Sequence, residues 1–155
     1  MVSIDSIMHK PVVTAELDEF VDIAARRMRE AGVGAVVLVE DDAVVGIFTE
    51  RDLLTSVVAE GLSPDSTRLG DVATREVLSV EIGAPLRVCA GALRDRSIRH
   101  LPVVDEGRPI GILSARDFLG ELVEGFEKLI ERARFDEQLQ SDVDPYDHVG
   151  GSYGR

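Results

Sequence analysis

Two stretches of this chain carry the same chemical groups in the same order: Gly46-Ile47-Phe48-Thr49-Glu50-Arg51-Asp52 and Gly111-Ile112-Leu113-Ser114-Ala115-Arg116-Asp117. Each closes a β-favouring run and opens a segment of helical spacing, so each reads as a strand feeding the start of a helix. A helix start presents unpaired backbone N–H groups, and here a hydroxyl (Thr49, Ser114) and a guanidinium (Arg51, Arg116) stand beside them. That is an anion site. The carboxylate of Asp52 or Asp117, three residues past the hydroxyl, can accept from a pair of vicinal hydroxyls. Phosphate donors joined to a diol acceptor describe a ribonucleotide.

The same residues also have a purely structural reading. A hydroxyl followed three residues later by a carboxylate resembles a capping box, with Asp where Glu or Gln is usual. The arginine tips the balance toward a site, because a cation in a first helical turn opposes the helix dipole. A residue placed against its local preference often marks function.

The elements that must position these groups come as a repeat. The two motifs are offset by 65 residues, and at that offset the upstream chain aligns without a gap. Leu38-Val39-Glu40 falls on Val103-Val104-Asp105, Met28 on Leu93, and Val12-Val13-Thr14 on Val77-Leu78-Ser79. Each copy predicts a β–α–β–β–α unit. Short apolar runs at 12–14 and 77–80 read as strands. Val21, Ala24, Ala25 and Met28, then Leu86, Cys89, Ala90 and Leu93, give apolar stripes on amphipathic helices. Asp18 is the expected cap of the first helix, and Pro85 suits the first turn of the second.

Hairpins are predicted from 35–40 with 44–48 and from 100–105 with 109–113, turning at Asp41-Asp42 and at Glu106-Gly107-Arg108. Helices should follow from Glu50 and Ala115. The expected division is a first copy over 1–60, a linker over 61–68, a second copy over 69–125 and a helical extension over 126–140. A Gly-, Asp- and Ser-rich stretch over 141–155 is expected to be mobile.

Composition bounds the function. A chain of 155 residues with 45% hydrophobic residues has the make-up of an ordinary globular protein. A net charge of −12 argues against binding duplex nucleic acid, which needs a positive face. It leaves small anions open, since a few arginines dominate the potential inside a pocket. No apolar run has membrane-spanning length and no signal peptide is evident, so no membrane association is expected. The lone cysteine, Cys89, fits a reducing compartment, and the expected location is cytoplasmic.

The layout resembles the CBS domain pair (Bateman module), the family named after cystathionine β-synthase, over about 3–125. The family's ribose-phosphate signature runs Gly-h-x-x-h/Pro, then Gly-h-h-[Ser/Thr]-x-x-Asp, where h is apolar. The first copy matches with Gly32-Val33-Gly34-Ala35-Val36 and Gly46 to Asp52. The second matches with Ser97-Ile98-Arg99-His100-Leu101-Pro102 and Gly111 to Asp117, with Ser97 where Gly is usual.

The resemblance implies an α/β fold of two units packed about a pseudo-twofold axis, with the C-terminal helical extension beyond them. It implies that Asp52 and Asp117 hold ribose hydroxyls and that Thr49 and Ser114 contact phosphate. Gly32, Val33, Ala35, Ile98 and Pro102 would complete the nucleotide sites with Arg51 and Arg116. Arg99 and His100 occupy positions where the family often points basic residues at phosphates; the first copy has Gly34 and Ala35 there. The implied ligands are AMP, ADP, ATP or S-adenosylmethionine, with no cofactor required. A homodimer and a separate, unknown effector protein would be the partners. The competing reading is a degenerate pair that binds no ligand and serves as an oligomerisation or docking scaffold.

Other candidates carry less. The three histidines lack metal-ligand spacing, and His9 sits near an expected helix end. Cys89 shares an apolar face with Leu86 and Leu93, as a small buried residue would. No nucleophile–base pair, Walker loop or dinucleotide fingerprint occurs, so no enzymatic activity is expected. Leu119, Leu122, Val123, Phe126, Leu129, Ile130 and Ala133 form one helical stripe, suited either to packing on its own domain or to a second subunit. The strand residues Val12, Val13, Val77 and Leu78 are candidates for walls around a base and equally for core.

Overall fold

The computed structural model of the chain describes residues 3–96 and 98–141. The expected mobile stretch falls outside these residues from 142 onward, as does Ser97. The described chain forms two compact units, divided between Phe118 and Leu119.

In the first unit each copy builds a three-stranded sheet. Strands β1 (Thr14–Ala15), β2 (Ala35–Glu40) and β3 (Ala43–Thr49) stand in that order, and so do β4 (Val80–Glu81), β5 (His100–Asp105) and β6 (Arg108–Ser114). The short first strand pairs parallel to the second, and the hairpin strands pair antiparallel. Even the register shift recurs at the repeat offset, between Leu38 and Val39 and between Val103 and Val104. The hairpins turn tightly through left-handed residues, Asp41 and Asp42 (φ 50° and 62°) and Glu106 and Gly107 (φ 49° and 81°). Two positive φ values side by side match the twist of the flanking strands.

The helices differ more from the reading above. Helix α2 (Val21–Ala31) starts on Phe20, whose side chain makes no cap. Asp18 does not cap it. Instead the N–H groups of Val21 and Asp22 donate to the carbonyls of Thr67 and Pro64, so the stretch between the copies closes the helix start. Pro85 stands as the residue before α5 (Leu86–Asp95), its ψ of 139° still extended. The expected stripe of α5 buries Cys89 and Leu93, whereas Ala90 is exposed. After Thr49 a single α-helical turn, α3 (Glu50–Asp52), widens into a π-helix over Leu53–Val58. The Thr55 hydroxyl donates to the Arg51 carbonyl at 2.8 Å, a contact that tends to bend a helix.

Two four-residue helices lie outside the β–α–β–β–α units: α1 (Ile4–Ile7), which supplies the helix end expected near His9, and α4 (Leu69–Val72), which the sequence reading lacks. They sit at equivalent repeat positions and exchange places. Ile4 and Met8 join the core of the second copy with Cys89, Leu93, Leu101 and Leu113. Leu69 joins that of the first copy with Val21, Met28, Leu38 and Phe48.

The segment after each short helix then crosses to the other copy's sheet. The His9 N–H donates to the Ile112 carbonyl at 2.8 Å and the Ile112 N–H returns at 3.2 Å; Thr74 and Ile47 do the same at 3.0 and 2.9 Å. This approach explains the first glycine of each motif. A Cβ on Gly111 would lie 2.6 Å from the Met8 sulfur, and one on Gly46 would lie 3.1 Å from the Thr74 carbonyl. A third apolar cluster, Ala35, Val37, Ile47 and Ile112 with Val12 and Val77 beside it, joins the sheets. Such paired contacts at a fixed offset are those of a pseudo-twofold arrangement.

Helix α6 runs from Ala115 to Ser141 without a break at Gly125. Along it Leu119, Leu122, Phe126, Leu129 and Ile130 are all more than half exposed.

Candidate functional site

Both capping boxes form. In the first copy the Thr49 N–H and hydroxyl donate to Asp52 Oδ2 at 2.9 and 3.1 Å, and the Asp52 N–H donates back to Thr49 Oγ1 at 3.2 Å. In the second, the Ser114 N–H and hydroxyl donate to Asp117 Oδ2 at 2.6 and 2.8 Å, and the Asp117 N–H returns to Ser114 Oγ at 3.2 Å. One carboxylate oxygen therefore orders each helix start and fixes where the other oxygen lies. The helix is anchored a second way: the Glu50 N–H donates to the Gly34 carbonyl and the Ala115 N–H to the Arg99 carbonyl.

The surroundings of the two boxes are not alike. A cleft of about 620 Å³ opens over the second copy's motif, a size ordinary for a small-molecule site. Ser114, Arg116 and Asp117 line it together with Arg99 and His100. The first copy contributes Gly32, Val33 and Ala35 from across the pseudo-axis. Thr49, Arg51 and Asp52 do not line this cleft. Ile98 packs against the second copy's core, and Pro102 is fully buried in β5. Of the suggested walls, Val12, Val13 and Val77 pack on core clusters, while Leu78 is 41% exposed; none reaches the cleft.

Other lining residues were not anticipated, among them His9, Arg29, Glu50 and Leu53. The 65-residue offset was the available signal for His9, since it aligns with Thr74, and both follow the short exchanged helices. Gly32 ends α2 in the left-handed conformation (φ 66°), with its N–H on the carbonyls of Arg29 and Met28, so the signature glycine turns the chain into the cleft. Helix α5 closes one repeat position earlier, on Arg96 with φ −97°.

Charge in the cleft is mixed. Arg29, Arg99 and Arg116 make no side-chain hydrogen bond or ion pair with the described residues, so three guanidinium groups are available to an anion. Asp117 Oδ1 accepts no hydrogen bond from the described residues. The His100 ring and the Glu50 carboxylate flank Gly34; a Cβ there would lie 3.2 Å from His100 Nε2 and 3.3 Å from Glu50 Oε2. Burial pushes the His100 pKa below its ordinary value, although Glu50 and Asp117 pull it upward and Arg99 pushes it further down. Burial thus favours the neutral ring. Burial also pushes the Cys89 thiol up, which keeps it inert as a nucleophile.

Among the described residues no three His, Cys, Asp or Glu side chains converge as a metal site. None of the described helices is long and apolar enough to cross a membrane.

An α/β repeat pair with this cleft defines a class, and comparison with known proteins agrees. The family model for the CBS domain matches the chain twice, over residues 4–59 and 69–124, and the chain belongs to that family. An uncharacterised protein of Methanopyrus kandleri is 38% identical over 76% of this chain, which spans 61% of that relative's length. Among solved structures, a CBS domain protein from Pyrobaculum aerophilum complexed with AMP is 28% identical with a TM-score of 0.68, over 75% of this chain and 89% of that one. A hexameric CBS-CP12 protein from bloom-forming cyanobacteria is 27% identical with a TM-score of 0.72, over 90% and 86%.

Proposed function

We propose that this CBS pair is a regulatory sensor that binds an adenine nucleotide or related adenosyl ligand in the cleft over Asp117. The observation that carries the reading is the free Oδ1 of Asp117, held in position by its own cap and facing a cleft with three unpaired arginines. The carboxylate takes the ribose hydroxyls. Arg99, Arg116 and the α6 N-terminus take phosphate, with charge-assisted bonds contributing on the order of 1.5–3 kcal/mol each. The Ser114 hydroxyl serves as the cap that orders Asp117, since its proton is directed at that carboxylate. Val33, Met28 and Leu53 offer apolar surface for a base. AMP bound to the Pyrobaculum aerophilum relative supports the adenosine part of this reading.

The ligand touches both copies, so it favours whichever relative arrangement it binds better. Output passes by conformational or oligomeric change to a separate effector protein, and no catalytic step is involved. Two copies of the chain associate through the exposed stripe of α6, in a reducing cytoplasm where Cys89 stays a thiol.

A thermal-shift panel of AMP, ADP, ATP, S-adenosylmethionine and NAD tests the reading. A ligand at a hundred times its Kd adds about 2.7 kcal/mol, a rise of several degrees. If no compound raises the melting temperature, the sensor gives way to a scaffold that binds no ligand.

A further inference from the structure

The copies differ where each crossing segment meets the other sheet. His9 and Thr74 are equivalent at the repeat offset, and both have their backbones pinned, to Ile112 and Ile47 respectively. Their surroundings differ. His9 is one of the residues that line the open cleft, as are Ser114 and Asp117. The Thr74 hydroxyl lies 3.5 Å from Asp52 Oδ1, the oxygen that the capping box leaves over. In the second copy the matching oxygen of Asp117 has no partner among the described residues. Two backbone hydrogen bonds to Ile47 hold the Thr74 Cβ beside Asp52 whichever way the hydroxyl turns.

Resting on the cleft reading above, we propose that each chain holds one ribonucleotide, at Asp117 with His9 as a ligand contact, while Thr74 covers the equivalent position at Asp52. A ribose diol arriving at Asp52 would have to displace Thr74 from that oxygen, whereas at Asp117 it meets a carboxylate oxygen already ordered and unshared. The imidazole of His9 adds a flat face for a base or an N–H donor for a phosphate.

Calorimetric titration of the full chain with AMP tests this. The expected stoichiometry is one AMP per chain. Asp117→Asn, which keeps an acceptor for the Ser114 N–H, should remove all measurable binding. His9→Ala should weaken binding about fivefold or more, and Thr74→Ala should change it less than about twofold. Two AMP per chain, or one AMP still bound by Asp117→Asn, would overturn the single site and leave the sensor reading standing. No AMP binding by the parent chain would overturn both. Should Asp117→Asn fail to fold, as judged by its melt, the His9 and Thr74 variants decide: equal weakening by both contradicts the proposal.

Discussion

The two copies share a motif and differ in what surrounds it. Thr49–Asp52 and Ser114–Asp117 make the same three hydrogen bonds, yet only Ser114 and Asp117 face the cleft. A capping box is thus no evidence for or against a binding site. It uses one carboxylate oxygen, and the copies differ in what becomes of the other. The Thr74 hydroxyl lies 3.5 Å from that oxygen in the first copy, and no described residue donates to it in the second.

The largest effects should come from the exchanged helices, because each copy's core is completed by the other copy's segment. Ile4→Ala removes a fully buried side chain from the second copy's core and should cost about 2–5 kcal/mol. Leu69→Ala should cost a similar amount in the first. Hydrogen exchange distinguishes them: Ile4→Ala should loosen β5 and β6 first, and Leu69→Ala should loosen β2 and β3. If each variant loosens its own copy instead, the exchange of helices is wrong.

A smaller effect should follow pH and belong to the second copy alone, since Ala35 stands where the second copy has His100. His100 has a folded pKa below its ordinary value of about 6.5, so the unfolded chain binds the proton more readily. Its contribution to stability is complete above about pH 6.5 and is lost as pH falls through the folded pKa. The melting temperature should therefore drop between pH 7.5 and 5.5 by more in the parent chain than in His100→Gln. An anion in the cleft opposes this by favouring the charged ring, so AMP should stabilise the parent chain more at pH 5.5 than at pH 7.5. Equal pH profiles for parent and variant would remove His100 from the account.

Much of this was legible in the sequence because it is local. Near-continuous β-favouring apolar runs and the polar turn residues after them place β2 and β5 at their observed bounds, and the motif itself predicts both caps. What escaped was set by tertiary contact. The N-cap expected of Asp18 is displaced by carbonyls more than forty residues away, at Pro64 and Thr67. Nothing in a four-residue segment such as Ile4–Ile7 announces that it will enter another repeat's core. His9 has no metal-ligating partners among the described residues, and its place in the cleft depends on the crossing to Ile112. The inequality of the two sites was legible only in part, from Arg99 and His100, while the contact of Thr74 with Asp52 required the fold.

The most direct measurement is a crystal structure of the full chain grown with AMP. The account predicts one AMP per chain, its ribose hydroxyls on Asp117 and its phosphate within reach of Arg99 or Arg116. A ribose on Asp52 instead, or a cleft over Asp117 that stays empty while AMP binds elsewhere, would contradict it.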